Sequence, residues 1–461
     1  MPSTPMLSAT KSGQLAESGG RAGCDACQRV GAERSWLRLA YDSFMTSRLI
    51  EPSFWTQPLD DRMREMTAIR ESGPFSKVEF VNEMTGMEEE FFAVTRFNEI
   101  VQISKNAKDF SSAQGAISIV DLPPEALEFF GSFINMDNPR HQRQRAIVAK
   151  AFTPTDLATV LGSVETISRD VIDGFCEKGE VDLVQAVSQP FPLLVICDMM
   201  GIPRSEFDTV LNATNVILSG GDPDFIGDGD PMMAIFGAGI QLTELMNGLA
   251  EERRKNPTDD LTSKLVHNDL DGEMLAPEEV APFFILLAVA GTDTTRTAIS
   301  HGMNLLAQHP EQRAIWQNDI AGVTPTAVEE IVRYSSPVTF MRRTVTRDLT
   351  MSGHDFVEGD KLVMLYGAGN RDPKAFAEPE RFDVLRSPNP HLGFGGPGPH
   401  FCLGANLARR ELAVVFRDLL TRLPDIEVVG DPVPLDVAGI PLVTGVKHLK
   451  VRFTPTPRSD A

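Results

Sequence analysis

Phe394-Gly395-Gly396-Pro397-Gly398-Pro399-His400-Phe401-Cys402-Leu403-Gly404 decides the reading of this chain. Four glycines and two prolines in eleven residues predict a tight, rigid loop, since glycine admits backbone angles closed to other residues and proline removes freedom. From Leu403 onward the pattern changes. Ala408, Leu412, Val415, Phe416 and Leu419 recur at helical spacing, with Arg409, Arg410, Glu411 and Arg417 on the other side. Cys402 is thus expected where a loop becomes a helix, where unpaired N–H groups and the helix dipole favour a thiolate. Small residues let the backbone fold beneath a flat ligand, and N–H groups aimed at sulfur tune its electron donation. This is a site for a thiolate that ligates iron.

Other readings of Cys402 are a small buried hydrophobe, or a zinc ligand together with His400, although zinc requires four ligands and no second nearby pair exists. The other cysteines, 24, 27, 176 and 197, stand at irregular spacing and form no disulfide framework. Cys24 and Cys27 make a C-x-x-C pair inside a Ser-, Gly- and Ala-rich leader over residues 1–35, read as a disordered tail carrying two thiols. A net charge of −21 argues against a general nucleic-acid surface. The best apolar run, Ala281 to Ala290, is ten residues, too short to span a bilayer. Without a signal peptide, the expected location is cytoplasmic.

After the leader, residues 36–461 read as one mainly α domain with small β-sheets. Trp36–Ile50 reads as a first helix; Lys77–Val81 and Glu89–Val94 as a hairpin. Asn138-Pro139 opens a turn before a basic helix carrying Arg140, His141, Arg143 and Arg145. Helices then dominate from Asp156 to about Arg254, broken at Gly201-Ile202-Pro203 and over Ser219–Asp230, whose glycines suggest a mobile lid. Late strands are expected at Lys361–Tyr366 and Lys450–Phe453.

The central helix is expected to begin at Pro282 and to run, apolar all round, through Ala290. It then meets Gly291-Thr292-Asp293-Thr294-Thr295. An acid and three hydroxyls in a buried helix are costly unless bonded. They read either as hydroxyls bonded back to carbonyls or as an acid–alcohol pair delivering protons.

The Cys402 loop resembles the haem-binding signature of the cytochrome P450 family. Gly396, Gly398, His400, Cys402 and Gly404 match it, while Gly395 stands seven residues before the cysteine, where that signature has phenylalanine. The resemblance implies haem b (iron protoporphyrin IX) enclosed between the central helix and the Cys402 loop. It puts Asp293 and Thr294 in the acid and alcohol positions and Ala290 among the cofactor-binding residues. His141, Arg145, Arg343 and His400 become cofactor-binding residues at the propionates, and Cys402 the iron ligand. Glu330 and Arg333 resemble the family's E-x-x-R pair, with Arg381 matching the later arginine that completes a structural triad.

The resemblance covers about residues 40–455. It is similar in detail to an actinobacterial group that hydroxylates terminal methyls of methyl-branched lipids and sterol side chains, though Thr292 and Asp293 stand where that group more often has asparagine and glutamate. It implies a monooxygenase using O2 and electrons from a ferredoxin and ferredoxin reductase. Peroxygenase chemistry on the same scaffold, a smaller terpene as substrate, or a haem-thiolate sensor are the rival readings. Arg140, Arg143, Arg145, Lys150, Arg409 and Arg410 suggest a basic patch for the acidic electron donor. Expected pocket-lining residues are Ile117, Ile119, Leu122, Ala288, Val289, Val338, Phe340, Leu442 and Val443.

Overall fold

The apolar stretch around Phe283 forms the middle of the longest helix of the computed structural model, Pro277–Gln308. Residues 48–459 are described, apart from 83–84, 122–131, 151–153, 219–221, 228–229, 268–274, 276 and 437–439. The leader with Cys24 and Cys27, most of the expected first helix, and Leu122 therefore lie outside the described residues. Six other helices frame the site: α1 (Phe97–Lys105), α2 (Arg140–Lys150), α3 (Pro154–Asp173), α4 (Pro190–Met200), α6 (Ile320–Ser335) and α7 (Ala405–Arg422), with the long central helix as α5. The central helix begins at Pro277, earlier than expected. Proline suits a helix start because its missing N–H is not needed there, and Pro282 falls inside. Phe284 and Ala288 are fully buried in the main core with Phe191, Phe416 and Trp316. Each such large side chain contributes roughly 1.5–3 kcal/mol.

Five strands form the main sheet: β1 (Phe75–Val81), β2 (Glu88–Val94), β3 (Phe110–Ser111), β4 (Phe340–Val345) and β5 (Lys361–Leu365), in the order β1-β2-β5-β4-β3. The expected hairpin is present, antiparallel, with Val78 opposite Phe91. Strand β2 runs parallel to β5 and β4 antiparallel to it. Side chains alternate between two cores. Phe91, Ala93, Val363 and Leu365 face one, while Phe92, Val94, Leu362 and Met364 face the other. Burial on both faces explains why β5 reads as a continuous apolar run.

Strand β4 escaped the sequence reading because Arg342-Arg343 looks like surface. Both arginines are buried. Arg342 donates to the carbonyls of Gln114, Ser118 and Ile119 and to Asp121, so it pins the 114–121 loop to the sheet. Phe340, Ile119 and Leu442, expected in the pocket, pack on the sheet core instead. The described part of the expected lid is anchored. Asp222 is 1% exposed and its carboxylate lies 2.9 Å from Lys447 Nζ, next to the short helix Pro223–Ile226. Among the described residues no helix is long and apolar enough to cross a membrane.

Candidate functional site

The Cys402 loop is held against α1 by close backbone approach. A Cβ on Gly398 would stand 2.1 Å from the Ser104 carbonyl oxygen, and one on Gly396 would meet the Ser104 hydroxyl. The extra glycine, Gly395, takes φ +84°, a left-handed angle unfavourable for phenylalanine. The aromatic residue of the loop is therefore Phe394. Its carbonyl accepts the Cys402 N–H at 3.0 Å, and its ring borders the same cavity as Cys402.

That cavity lies between the loop and α5. Phe283, Leu287, Ala290, Gly291, Thr294, Thr295 and Ala298 line it, a stripe with the helical repeat, so Ala288 and Val289 belong to other faces. Of the expected late-loop lining, Val338 is present, joined by Met341. From α7 come Leu407, Ala408, Glu411 and Leu412. Glu411 was expected on the solvent side. It is 2% exposed, because it falls one helical turn beyond Leu407 on the buried stripe. The Thr295 hydroxyl donates to its Oε2 at 3.1 Å, while Oε1 has no hydrogen-bond partner among the described residues. Burial pushes the Glu411 carboxyl up to about 8, against the pull of the Thr295 bond. The spacing from Leu407 could have revealed it.

Ala290 and Thr294 line the cavity; Asp293 stands behind them. The Thr294 hydroxyl donates to the Ala290 carbonyl at 2.7 Å. Asp293 is 2% exposed, its Oδ1 lies 3.7 Å from Arg296, and burial raises its carboxyl while Arg296 pulls the other way. Arg296 also donates to the Val446 carbonyl, so it bridges the acid to a late strand.

At one edge of the cavity the structure gathers His141, Arg145, Arg343 and His400. The two imidazole centroids lie 4.1 Å apart with the rings tilted by 36°, and Ser112 Oγ lies 3.2 Å from His400 Nε2. His141 is buried, and its Nε2 has no hydrogen-bond partner among the described residues. Arg343 is buried too; among the described residues its one hydrogen bond goes to the Arg342 carbonyl. Burial first, then the positive neighbours, pushes His400 down to about 2 and His141 to about 4. Two arginines and two imidazoles gathered at a cavity edge with unused donors fit a flat ligand bearing carboxylates there. Tyr366, which the sequence reading did not single out, borders the same cavity, and burial raises its phenol to about 12.

Cys402 opens onto the cavity at the loop's other side. Its exposed surface is cavity wall, and the sulfur itself is crowded: burial raises the thiol, opposed by the Gly404 N–H, Arg145 and Arg409. The helix start alone does not secure the thiolate; a coordinated metal ion would. These residues fit haem, with Cys402 as iron ligand, Arg145 and Arg343 as cationic partners of the propionates, and the His141 and His400 imidazoles as hydrogen-bond partners beside them. Among the described residues no group of three or more His, Cys, Asp or Glu is gathered for another metal.

Behind the loop, Glu330 and Arg333 form a fully buried bidentate pair at 2.7 and 2.8 Å. The arginine that completes the triad is Arg386, 3.1 Å from Glu330, and not Arg381. The side chain of Arg381 is 54% exposed and turns to Glu378; only its carbonyl serves Arg333. The expected basic patch is largely neutralised. Arg143 pairs with Glu279, Arg410 with Glu165 and Arg409 with Glu329, while Arg145 donates to the Phe401 carbonyl.

Comparisons with known proteins agree with this geometry. The cytochrome P450 family model matches residues 232–424, which include Thr294 and Cys402. The chain is 44% identical over 409 residues to the methyl-branched lipid omega-hydroxylase of Mycobacterium tuberculosis, covering 87% of this chain and 93% of that one. It is 34% identical over 397 residues to the steroid C26-monooxygenase of Mycolicibacterium smegmatis, covering 85% and 90%. A solved Mycobacterium marinum cytochrome P450 in complex with pseudoionone superposes with a TM-score of 0.82 at 38% identity, covering 88% of this chain and 98% of that one. Sequence similarity along nearly the whole of its relatives, together with a matching fold, makes this chain a member of the cytochrome P450 family and a haem-thiolate monooxygenase.

Proposed function

We propose that this enzyme hydroxylates a terminal methyl carbon of a methyl-branched lipid, an isoprenoid or a sterol side chain, in the cytoplasm and with electrons from a ferredoxin and its reductase. The observation that carries the reading is the apolar wall facing Cys402: Phe133, Ile134, Ile196, Phe283, Leu287 and Met341. Thr294 and Thr295 are the hydroxyl-bearing residues of the central-helix stripe. Such a wall receives a hydrocarbon end and leaves a polar head nearer the entrance. The lipid and steroid hydroxylases among its relatives support the same substrate class.

Bound haem supplies the oxygen activation and C–H oxidation. Cys402 would ligate it, Arg145 and Arg343 would neutralise its carboxylates, and His141 and His400 would donate hydrogen bonds to them. Thr294 presents a hydroxyl to the cavity, and Asp293, its carboxyl raised by burial, stands behind it. Delivering a proton inward requires Asp293 to pass it toward Thr294, away from Arg296. The apolar wall disfavours water and would receive the apolar tip of a chain.

The test is product regiochemistry on a methyl-branched fatty acid with a ferredoxin and its reductase. Terminal alcohol as the main product is expected. Mainly internal alcohols would remove the terminal-carbon reading and leave the monooxygenase standing.

A further inference from the structure

Two adjacent glutamates on α6 are used differently. Glu330 enters the buried pair with Arg333, while Glu329 turns toward the Cys402 loop. Glu329 Oε1 accepts Arg409 Nε at 2.5 Å, and its Oε2 accepts Arg409 Nη2 at 3.0 Å and His391 Nε2 at 2.8 Å. His391 Nδ1 accepts the Gly393 N–H at 3.1 Å, which assigns the proton to Nε2 and makes that nitrogen the donor to Glu329. Burial alone would raise the Glu329 carboxyl, but the bonds from His391 and Arg409 bring it down to about 2. The carboxylate therefore stays charged.

Both of its partners lie against the same ring. The Arg409 guanidinium sits 4.5 Å over the centroid of Phe394, and the His391 ring lies 5.6 Å from it at 46°. Phe394 in turn accepts the Cys402 N–H, and Arg409 also acts on the Cys402 thiol by charge. The His391 side chain is only 2% exposed, so this is a packed unit and not a surface ion pair.

We propose that Glu329 is a positioning residue for the iron-ligating sulfur. Through Arg409 and His391 it clamps Phe394, and through Phe394 it fixes the backbone carbonyl that holds the Cys402 N–H. The clamp gives Phe394, displaced along the loop by Gly395, a fixed place beside the sulfur. Arg409 is thereby committed to the loop and not to an electron donor. The proposal rests on Cys402 as the ligand, which Cys402→Ser tests separately.

The experiment uses the haem-loaded full chain and two readouts: the rate at which the ferrous carbon-monoxide complex loses its thiolate-type band at a fixed mild temperature, and the iron–sulfur stretching frequency. Glu329→Gln keeps the shape and removes the charge; it is expected to speed the loss about tenfold, the scale of one lost charge-assisted hydrogen bond, and to shift the stretch. Phe394→Leu should do the same, and the double variant should match Phe394→Leu alone, because Glu329 acts through that ring. Glu165→Gln, which frees Arg410 one residue along the same helix, should leave both readouts at wild type. Should Glu329→Gln fail to fold, Arg409→Gln, whose side chain is 35% exposed, carries the same readouts. A wild-type band lifetime and unshifted stretch in the folded variant, or additive effects in the double variant, would overturn the proposal even if the unfolding temperature falls.

Discussion

Two regions bordering one cavity hold buried titratable groups that have moved in opposite directions. At the edge formed by α2, β4 and the Cys402 loop, His141 and His400 are pushed down to about 4 and about 2. On the α5–α7 side, Asp293 is raised and Glu411 is pushed up to about 8. Burial begins both shifts, since it penalises charge of either sign. What differs is the neighbours. The histidines share their edge with Arg145 and Arg343, which retain their protons, so the imidazoles give theirs up. Among the described residues Glu411 meets the Thr295 hydroxyl, and Asp293 meets Arg296 at 3.7 Å. One region is arranged around negative charge that a ligand must bring. In the other, burial raises carboxyls beside the cavity without a ligand.

The most damaging way to break this comparison is to remove the sulfur that anchors the ligand both regions face. Cys402→Ser should abolish the thiolate-type carbon-monoxide band completely. A surviving band would assign ligation to another cysteine.

Next in size is Arg343→Gln. It should weaken haem retention about tenfold, the scale of a lost charge-assisted bond, as measured by haem transfer to an acceptor protein. In the haem-free protein it should also let His400 rise, read by NMR titration. The sign of the pH effect follows from the histidines. Their folded values lie below the ordinary 6.5, so between 6.5 and about 4 the unfolded chain binds protons that the folded chain does not. The haem-free protein should therefore lose stability as pH falls through that window, and haem should reduce the loss. An equal acid slope with and without haem would detach these residues from the propionates.

Glu411 predicts the reverse slope. Its folded value of about 8 exceeds the ordinary 4.5, so only the folded state holds that proton between them. Stability is full below 4.5, falls as pH rises to about 8, and then levels. Glu411→Gln should flatten that fall in denaturant titrations across the same window. An unchanged profile would mean the carboxyl is ionised in the fold.

The smallest effect is expected from Arg143→Glu with Arg410→Glu. Both arginines already pair with partly exposed glutamates, and such pairs contribute about 1 kcal/mol or less. Electron transfer at low salt should slow modestly. A large loss would show that Glu279 and Glu165 leave those arginines available to the donor.

Much of the site was legible because local backbone demands are written in local sequence. The glycine- and proline-rich run before a helical repeat specified a loop ending at Cys402, and the apolar run into Gly291-Thr292-Asp293-Thr294 specified the buried helix beside it. Arg381 shows the limit. It stands at the family position, but its side chain turns to solvent and Arg386 takes its place on Glu330. Arg342 and Arg343 hid a strand, because no spacing rule says that two adjacent arginines will both be buried.

By itself the sequence determined the hairpin, the central helix, the Cys402 loop and the family. Those follow from neighbours a few residues apart, where helix and turn geometry leaves few choices. Only the tertiary structure decided which face of α5 lines the cavity, that Glu411 is buried in its wall, that Asp293 stands behind it, and that Glu329 reaches across to Arg409 and His391. Those partnerships join residues tens to more than a hundred positions apart. Their formation depends on how helices and loops pack together, and a charged side chain finds its partner only when the packed core closes off water as the alternative.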